Sequence, residues 1–314
     1  MHLLEGPPPP SLAQALAEFE REFTYPLGPG SWFRIAHGDD YPRFFRAMGR
    51  AGCFVAQDEG GRVLGTLATA IRRLGLPDGR EQPAAYIGDL KVTTQARGGR
   101  ALFRLARAAQ EWGSGEAQAF FSVVMDGTAA TPERYTGRAG LPAFAALAKI
   151  VVLRLSVSAE AAGDPVPFAA DTDAGERCYR ELSRGRYWSP GGRPQERSEF
   201  TPAWLLDPAG AACGRLEDTR RAKRLFGNDG SELVSAHLSC FAFSEVAAGA
   251  ALLWAAARRA AGLGYPALFV AVAEPDAEAM LARLGNVRLT VAPATVYGAG
   301  LKAAIPWNIN TAEI

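Results

Sequence analysis

Short apolar runs separated by polar or glycine-rich segments divide the chain into predicted strands and helices. Residues 53–56 and 62–69 are β-rich runs on either side of Asp58-Glu59-Gly60-Gly61, and turn residues in that place predict a β-hairpin. Residues 85–92 predict a further strand. Residues 100–112 predict an amphipathic helix, because apolar side chains recur there at the spacing of one helix face.

The same order of elements returns in the second half of the chain. In the first half, a strand, a long helix, a strand, a short helix and a final strand are predicted at 85–92, 100–112, 120–125, 132–136 and 146–157. In the second half, a strand pair at 211–216 and 220–225 precedes a strand at 232–241, a long helix at 245–261, a strand at 267–273, a short helix at 276–284 and a hairpin-like pair at 287–297. Repetition at a period near half the chain predicts two similar domains.

The predicted domain boundaries follow the composition. Residues 1–30, with a proline run and a short amphipathic helix, are an N-terminal extension. Residues 31–158 and 168–314 are the two domains. Residues 159–167 have the alanine, glycine, proline and aspartate content of a linker.

Composition and charge exclude several classes of protein. The 314 residues include 34 Lys+Arg and 33 Asp+Glu, and a formal charge of +1 gives no global field that would attract nucleic acid or anionic lipid. No stretch of about 20 apolar residues predicts a membrane span, and no basic region before an apolar core predicts an export signal. The four cysteines and three histidines are scattered without metal-ligand spacing. We therefore expect a cytoplasmic protein with free thiols, no metal, and no nucleic-acid or membrane partner.

One junction carries the candidate chemistry. A predicted strand ends near Val92, a polar turn follows, and a helix begins after the turn. The N-terminus of a helix has backbone N–H groups without partners and the positive end of the helix dipole, and both suit a pyrophosphate. Gly98 and Gly99 leave room for phosphate oxygens, and Arg97 and Arg100 add positive charge beside them. The same residues also fit a tight strand-to-helix turn with two solvated arginines.

This junction resembles the acetyl-CoA-binding motif of the GNAT N-acetyltransferase superfamily. That motif runs Val-x-Pro-x-x-Arg-Gly-x-Gly-x-Gly-x-x-Leu, and Val92, Arg97, Gly98 and Leu105 stand at its Val, Arg, first Gly and Leu positions. Thr94 replaces the usual proline.

The chain differs from the motif at two further positions. Arg100 and Leu102 occupy the second and third glycine positions, so two side chains lie where the pyrophosphate would bind, although Arg100 could also bind it. The order of elements over 32–157 resembles the superfamily as well. The resemblance implies an α+β fold with two tandem GNAT-like domains, each a mixed, mostly antiparallel sheet flanked by helices.

The resemblance also implies an N-acetyltransferase that uses acetyl-CoA as co-substrate to acylate a primary amine. Members of the superfamily separate their fourth and fifth strands to admit the pantetheine arm, and they polarise the thioester carbonyl with a backbone N–H. The implied cofactor-binding residues are Leu90, Lys91, Val92, Arg97, Gly98, Gly99 and Arg100. The alternative is a catalytically silent acyl-CoA-binding or interaction module. The acceptor, the acyl chain length and the oligomeric state stay open.

Three further side chains are candidates for the reaction. Asp89, on the strand before the junction, is a candidate general base, directly or through water, or a strand residue bonded to a loop amide. By the resemblance, Tyr135 is the acid that protonates the departing thiolate; otherwise it packs or lines the cleft. Asp126, which follows the predicted strand 120–125, is a candidate contact for the amine substrate or a turn residue.

The second half repeats the pattern without the motif. The corresponding turn, Ala242-Phe243-Ser244-Glu245, lacks arginine and glycine, and Glu245 would repel phosphate at the helix start. His237 lies in an apolar strand and is interpreted as a hydrogen-bonded strand residue rather than a catalyst. We therefore expect a degenerate second domain that binds no cofactor, supports the first and closes one wall of the substrate cleft, with the tail 306–310 packed there.

Overall fold

The computed structural model describes residues 1–137, 141–157, 169–285 and 287–314. The helices are α1 (Pro10–Glu20), α2 (Arg43–Arg46), α3 (Ala101–Gly113), α4 (Pro132–Tyr135), α5 (Thr172–Leu182), α6 (Val246–Gly262) and α7 (Glu274–Leu284). The strands are β1 (His2–Leu4), β2 (Tyr25–Pro26), β3 (Trp32–Ala36), β4 (Arg50–Gln57), β5 (Val63–Gly75), β6 (Glu81–Val92), β7 (Ala119–Met125), β8 (Ala145–Ser156), β9 (Ala169–Ala170), β10 (Tyr187–Trp188), β11 (Ala203–Leu206), β12 (Ala212–Glu217), β13 (Arg224–Phe226), β14 (Ala236–Phe243), β15 (Ala267–Ala273), β16 (Leu289–Ala299) and β17 (Trp307–Asn308). The linker predicted at 159–167 lies outside the described residues.

Fourteen of the described strands form one continuous sheet. Their order is β1-β4-β5-β6-β7-β16-β8-β15-β14-β12-β11-β9, with the pair β10–β17 attached beside β5. Most neighbours are antiparallel, while β6–β7, β14–β15 and β10–β17 are parallel. Strands β2, β3 and β13 form a separate three-stranded sheet. The predicted α+β class with a mixed, mostly antiparallel sheet is confirmed.

The two halves of the chain exchange their last strands. Strand β16, from the second half, pairs with β7, and β8, from the first half, pairs with β15. Strands β8 and β16 also pair with each other at the centre of the sheet. Leu153 and Leu155 of β8 are fully buried in the hydrophobic core of the second half. Each half therefore completes its part of the sheet with a strand from the other.

Two predicted strand pairings in the second half are wrong. Residues 287–297 do not form a hairpin but belong mainly to the single strand β16, and Pro293 is tolerated within it because pairing with β7 starts only at the next residue. Residues 220–225 do not pair with 211–216. A turn in which the Lys223 N–H donates to the Thr219 carbonyl (2.7 Å) carries the chain away, so that β13 pairs with β3 instead.

The predicted N-terminal extension packs against the first half. Strand β1 pairs with β4, and α1 buries the side chains of Leu12, Leu16 and Phe19. Helix α3 packs on β4 and β5 through the buried Leu105 and Ala109, as its periodicity predicts. None of the described helices has both the length and the apolar character needed to span a bilayer.

Candidate active site

The sheet opens between β6 and β7. These parallel strands pair only over residues 84–86 and 119–121, although β6 continues to Val92 and β7 to Met125. A cavity of about 280 Å³ lies in the opening, lined by α3 on one side and by β2, β3 and β13 on the other. The structure therefore has a passage through the sheet at the place where the GNAT resemblance implies one.

A β-bulge in β6 borders this cavity. Asp89 and Leu90 both stand opposite the single residue Leu67 of β5. Asp89 has a φ of 52°, in the left-handed region that non-glycine residues seldom adopt. The Thr66 hydroxyl donates to the Asp89 carbonyl at 2.9 Å and so supports the bulge. Asp89 and Leu90 both form part of the cavity wall.

Asp89 belongs to a buried network of charged side chains. Lys91 Nζ lies 2.5 Å from Asp89 Oδ1 and 3.4 Å from Glu20 Oε1, and the Tyr41 hydroxyl donates to Asp89 Oδ2. Glu20 Oε1 also lies 2.5 Å from His37 Nδ1. Burial opposes the charge on Lys91, but its acidic neighbours outweigh burial and raise the pKa of the lysine. Both carboxylate oxygens of Asp89 therefore already face hydrogen-bond donors.

The same network contains a possible set of metal ligands. One ligand atom each from Glu20, His37 and Asp89 lies within 4.8 Å of the others. Lys91, however, contacts both carboxylates of this set and supplies the positive charge between them. The residues present fit an internal ion-pair network better than a metal centre. The prediction of a metal-free protein stays a prediction.

The motif residues Arg97, Gly98, Gly99 and Arg100 are all exposed at the start of α3. Gly98 has a φ of 78°, which explains why glycine stands there. The helix itself begins at Ala101, one residue after the predicted start. Among the described residues, no ion pair involves Arg97 or Arg100. Two uncompensated guanidinium groups beside a helix N-terminus form a suitable surface for a diphosphate.

Tyr135 lies at the end of α4 and lines the cavity. Burial, with a smaller contribution from Tyr297, raises its pKa to about 12, so the phenol stays protonated at neutral pH. A protonated phenol is what the predicted acid role requires. Ser122 of β7 lines the same cavity, and its buried hydroxyl has no hydrogen-bond partner among the described residues. The structure thus offers two hydroxyl donors, and the acid role of Tyr135 stays a prediction.

Asp126 is engaged away from the cavity. Its Oδ1 accepts from the Thr295 hydroxyl at 2.7 Å, and its Oδ2 lies 3.3 Å from Lys149 Nζ. The neighbouring Met125 and Thr128 line the cavity, whereas Asp126 is not among the described lining residues. Its predicted contact with the substrate stays a prediction. The Thr295 hydroxyl and Lys149 already give the Asp126 carboxylate its partners.

Comparison with known proteins identifies the fold. No protein-family model and no curated protein matches the sequence. Among solved structures, Saccharomyces cerevisiae N-myristoyltransferase with bound myristoyl-CoA and inhibitors matches with a TM-score of 0.58 and 10% identity, over 96% of this chain and 81% of that chain. A second structure of that enzyme, with bound myristoyl-CoA, matches with a TM-score of 0.57 and 12% identity, over 96% and 79%. N-myristoyltransferase is a GNAT-fold enzyme. This chain has the GNAT fold. The fold that the motif at Arg97 implied is thus confirmed.

The second half of this GNAT-fold chain has a matching opening that is filled. Strands β14 and β15 pair only through Ala236 and His237 and then separate, and Cys240 has a φ of 50° at a bulge like that of Asp89. The C-terminal segment, residues 307–314, packs into this opening. Its Asn310 Oδ1 accepts from the Cys240 N–H at 2.7 Å. This segment therefore occupies, in the second half, the place that the cavity takes in the first.

Two cavity residues from the second half were not predicted as functional. Lys223 is buried, its Nζ donates to the Ile314 carbonyl, and burial lowers its pKa to about 7. His237 Nδ1 lies 3.0 Å from Thr311 Oγ1, and burial, together with nearby cations, lowers its pKa well below the usual value. Lys223 follows Arg220-Arg221 in a charged stretch that is typical of a solvated turn, so the sequence alone carries no signal of its burial.

Proposed function

We propose that this protein is an acyl-CoA-dependent N-acyltransferase that transfers the acyl group of a CoA thioester to a primary amine. The observation that carries the proposal is the passage between β6 and β7, which runs beside a helix start with two uncompensated arginines. The similarity in fold to an enzyme solved with bound myristoyl-CoA supports the same assignment. The thioester would enter from the side of α3, and the amine from the side of β13.

The residues around the cavity suit each step of this reaction. The neutral amine attacks the thioester carbonyl and forms the C–N bond, and the attacking nitrogen then loses one proton, which makes up for the proton that the leaving sulfur takes. The C–S bond breaks to release a thiolate. The backbone at Leu90–Val92, beside the bulge, is the proposed site for polarising the carbonyl. Tyr135 is the proposed donor of a proton to the thiolate, which leaves as free CoA.

Lys223 is the best-placed base for the amine. An alkylammonium must lose a proton before it attacks, and a base with a pKa near the working pH removes it most effectively. Lys223 lines the cavity and has a pKa of about 7, so about half of the lysine is neutral at pH 7. Asp89, the base predicted from the sequence, is instead engaged by Lys91 and Tyr41. We propose that Asp89 orients the bulge.

The size of the cavity is the reason for proposing an acyl chain longer than the acetyl group predicted from the motif. Its apolar lining follows α3 from Leu102 to Gly113, and the eleven helical rises between these two residues span roughly 16 Å. Across from the helix, Leu67 and Ile71 of β5 continue the apolar surface. An acetyl group would fill only a small part of this space, whereas a medium or long acyl chain would bury its methylenes there.

An acyl-CoA panel tests the proposal. Acetyl-, octanoyl- and myristoyl-CoA are incubated with simple amines and short peptides, and released thiol is measured together with binding by titration calorimetry. We expect thiol release that depends on both substrates and is fastest with the longer acyl groups. Fastest release with acetyl-CoA would restore the original prediction. Binding without turnover would favour the silent module, and neither binding nor turnover would overturn both.

A charge reversal at the motif locates the CoA site. Arg97→Glu should raise the Kd for CoA at least tenfold and leave Tm nearly unchanged, because the side chain is exposed. The matched control is Arg107→Glu, on an exposed face of α3 where the arginine is paired with Glu111. Equal affinity of Arg97→Glu and the control would contradict the assignment of this site.

A further inference from the structure

A second cavity lies at the junction of the two halves, apart from the candidate active site. Its volume is about 230 Å³, and it shares no lining residue with the first cavity in the described parts of the chain. Its inner wall includes Met48, Arg72, Trp188, Trp204 and Arg215, and Arg73, Glu81, Glu176 and Arg180 also line it. Its wall therefore combines apolar and aromatic surface with two buried guanidinium groups.

The charges behind this cavity do not balance. Three buried arginines face two buried carboxylates: Arg72 Nη1 lies 2.8 Å from Glu313 Oε2, Arg197 Nε lies 2.7 Å from Glu217 Oε2, and Arg215 Nη2 lies 3.2 Å from Glu217 Oε1. Burial opposes ionisation of Glu217 and Glu313, but the arginines outweigh it and lower the pKa of each carboxyl. Both acids are thus ionised at neutral pH. The cluster of five side chains carries one excess positive charge.

Three N–H donors around the cavity are also unpaired. Within the described residues, Nε of Arg72, Nε of Arg215 and Nε1 of Trp188 are buried and have no hydrogen-bond partner. Each of these three side chains belongs to a residue that is less than 7% exposed and lines the cavity. Buried donors are nearly always paired in native proteins, and unpaired ones are costly, above all on a charged group.

The acidic groups at the cavity rim do not supply the missing partner. Glu81 Oε2 lies 3.2 Å from Arg73 Nε, and Glu81 Oε1 lies 3.4 Å from Arg180 Nη2, so this carboxylate is already shared by two arginines. Glu176, the other acid that lines the cavity, is exposed. The excess charge and the unpaired donors both lie deeper, on Arg72 and Arg215.

We propose that this cavity binds a small oxyanion, a carboxylate or phosphate, whose oxygens accept from Arg72 and Arg215. Such a ligand supplies the negative charge that the cluster lacks. The Nη2 groups of Arg72 and Arg215 already donate to the Pro190 and Gly191 carbonyls, so the acceptors still lacking are those for the two Nε–H groups. The apolar surface of Met48, Trp188 and Trp204 would contact the body of an organic acid, whereas inorganic phosphate would use the donors alone. Because Arg72 is in the first half and Arg215 in the second, the ligand would bridge both halves.

Titration of the Arg97→Glu variant of the full chain tests this site without any acyl-CoA and without the proposed diphosphate site, so its outcome is independent of the proposed function. Sodium phosphate, sodium benzoate and sodium chloride are compared at equal ionic strength by calorimetry and thermal unfolding. We expect saturable one-to-one binding of at least one oxyanion and a rise in Tm of several degrees. Tighter binding of benzoate would identify an organic acid, and tighter binding of phosphate an inorganic ion. No saturable binding of either, or equal binding of chloride, would overturn the proposal.

A conservative variant places the binding in this cavity. Arg215→Lys keeps the charge but removes the Nε–H, and it should raise the Kd at least tenfold, whereas Arg80→Lys, at an exposed arginine that does not line the cavity, should leave it within twofold. Unchanged affinity in Arg215→Lys would overturn the assignment. If Arg215→Lys does not fold, the wild-type protein is crystallised with the tighter-binding oxyanion. Electron density for the oxyanion between Arg72 and Arg215 would support the site. Electron density for it at other places only would overturn the assignment.

Discussion

Replacing Lys223 by methionine should make the protein more stable and less active. Burial lowers the pKa of this lysine from 10.5 to about 7, and each pKa unit corresponds to about 1.4 kcal/mol. Burying the charged lysine therefore lowers the free energy of unfolding by about 5 kcal/mol. The methionine has a similar shape and no charge. It loses the hydrogen bond to Ile314 and the contact with the Phe44 ring, together worth roughly 2 kcal/mol. We therefore expect the free energy of unfolding of Lys223→Met to exceed that of the wild type by about 3 kcal/mol below pH 7.

The pH dependence makes this prediction specific to Lys223. The folded pKa lies below the unfolded one, so between about pH 7 and 10.5 the unfolded chain binds more protons than the folded chain. The penalty is therefore fully present below pH 7 and is lost as the pH rises toward 10.5. Over that range, the free energy of unfolding of the wild type should rise relative to that of Lys223→Met by up to about 1.4 kcal/mol per pH unit.

Urea unfolding at several pH values between 6 and 10 measures this difference. The control is Lys302→Met, because Lys302 is an exposed lysine of the same half of the chain. The same preparations are assayed for thiol release, where Lys223→Met should be slow at every pH. Parallel stability curves for the wild type and Lys223→Met would refute the reasoning, since they would mean that Lys223 titrates alike in both states.

Four further substitutions test the proton donor, the acyl-chain space and the C-terminal segment. Tyr135→Phe should lower turnover about 100-fold and leave the Kd for CoA unchanged; a comparable loss in Ser122→Ala instead would move the proton donor to Ser122. Ala106→Trp, on the face of α3 that lines the cavity, should lower kcat/KM for myristoyl-CoA far more than for acetyl-CoA, and equal losses would argue against an acyl chain in that space. Asn310→Ala leaves the Cys240 N–H without its acceptor and should cost about 1–3 kcal/mol in thermal unfolding; an unchanged Tm would show that the C-terminal segment is not held there.

Features that depend on neighbouring residues could be predicted from the sequence. The hairpin β4–β5 follows from turn residues between two β-rich runs, and α3 follows from its apolar spacing. The residues at Arg97 and Gly98 implied the GNAT fold because a helix start that binds diphosphate needs a short, local set of residues. Each of these features is encoded by residues that lie close together in the chain.

Features that depend on distant residues could not be predicted. The side chains that engage Asp89 include Lys91 and Tyr41, and Lys91 in turn contacts Glu20, 71 positions earlier in the chain. The burial of Lys223 depends on the C-terminal segment, 91 positions later. Strand exchange at β8 and β16 leaves no trace in local periodicity, because a strand has the same alternation whichever neighbour it joins.

The exchange of β8 and β16 makes the two halves mutually dependent. A fragment that ends at Ser156 would leave β7 with an exposed hydrogen-bonding edge, and a fragment that starts at Ala169 would do the same to β15. Neither fragment alone would be a soluble domain, but the two expressed together should reassemble. The two halves therefore form one folding unit, and a change that unfolds either half should unfold both.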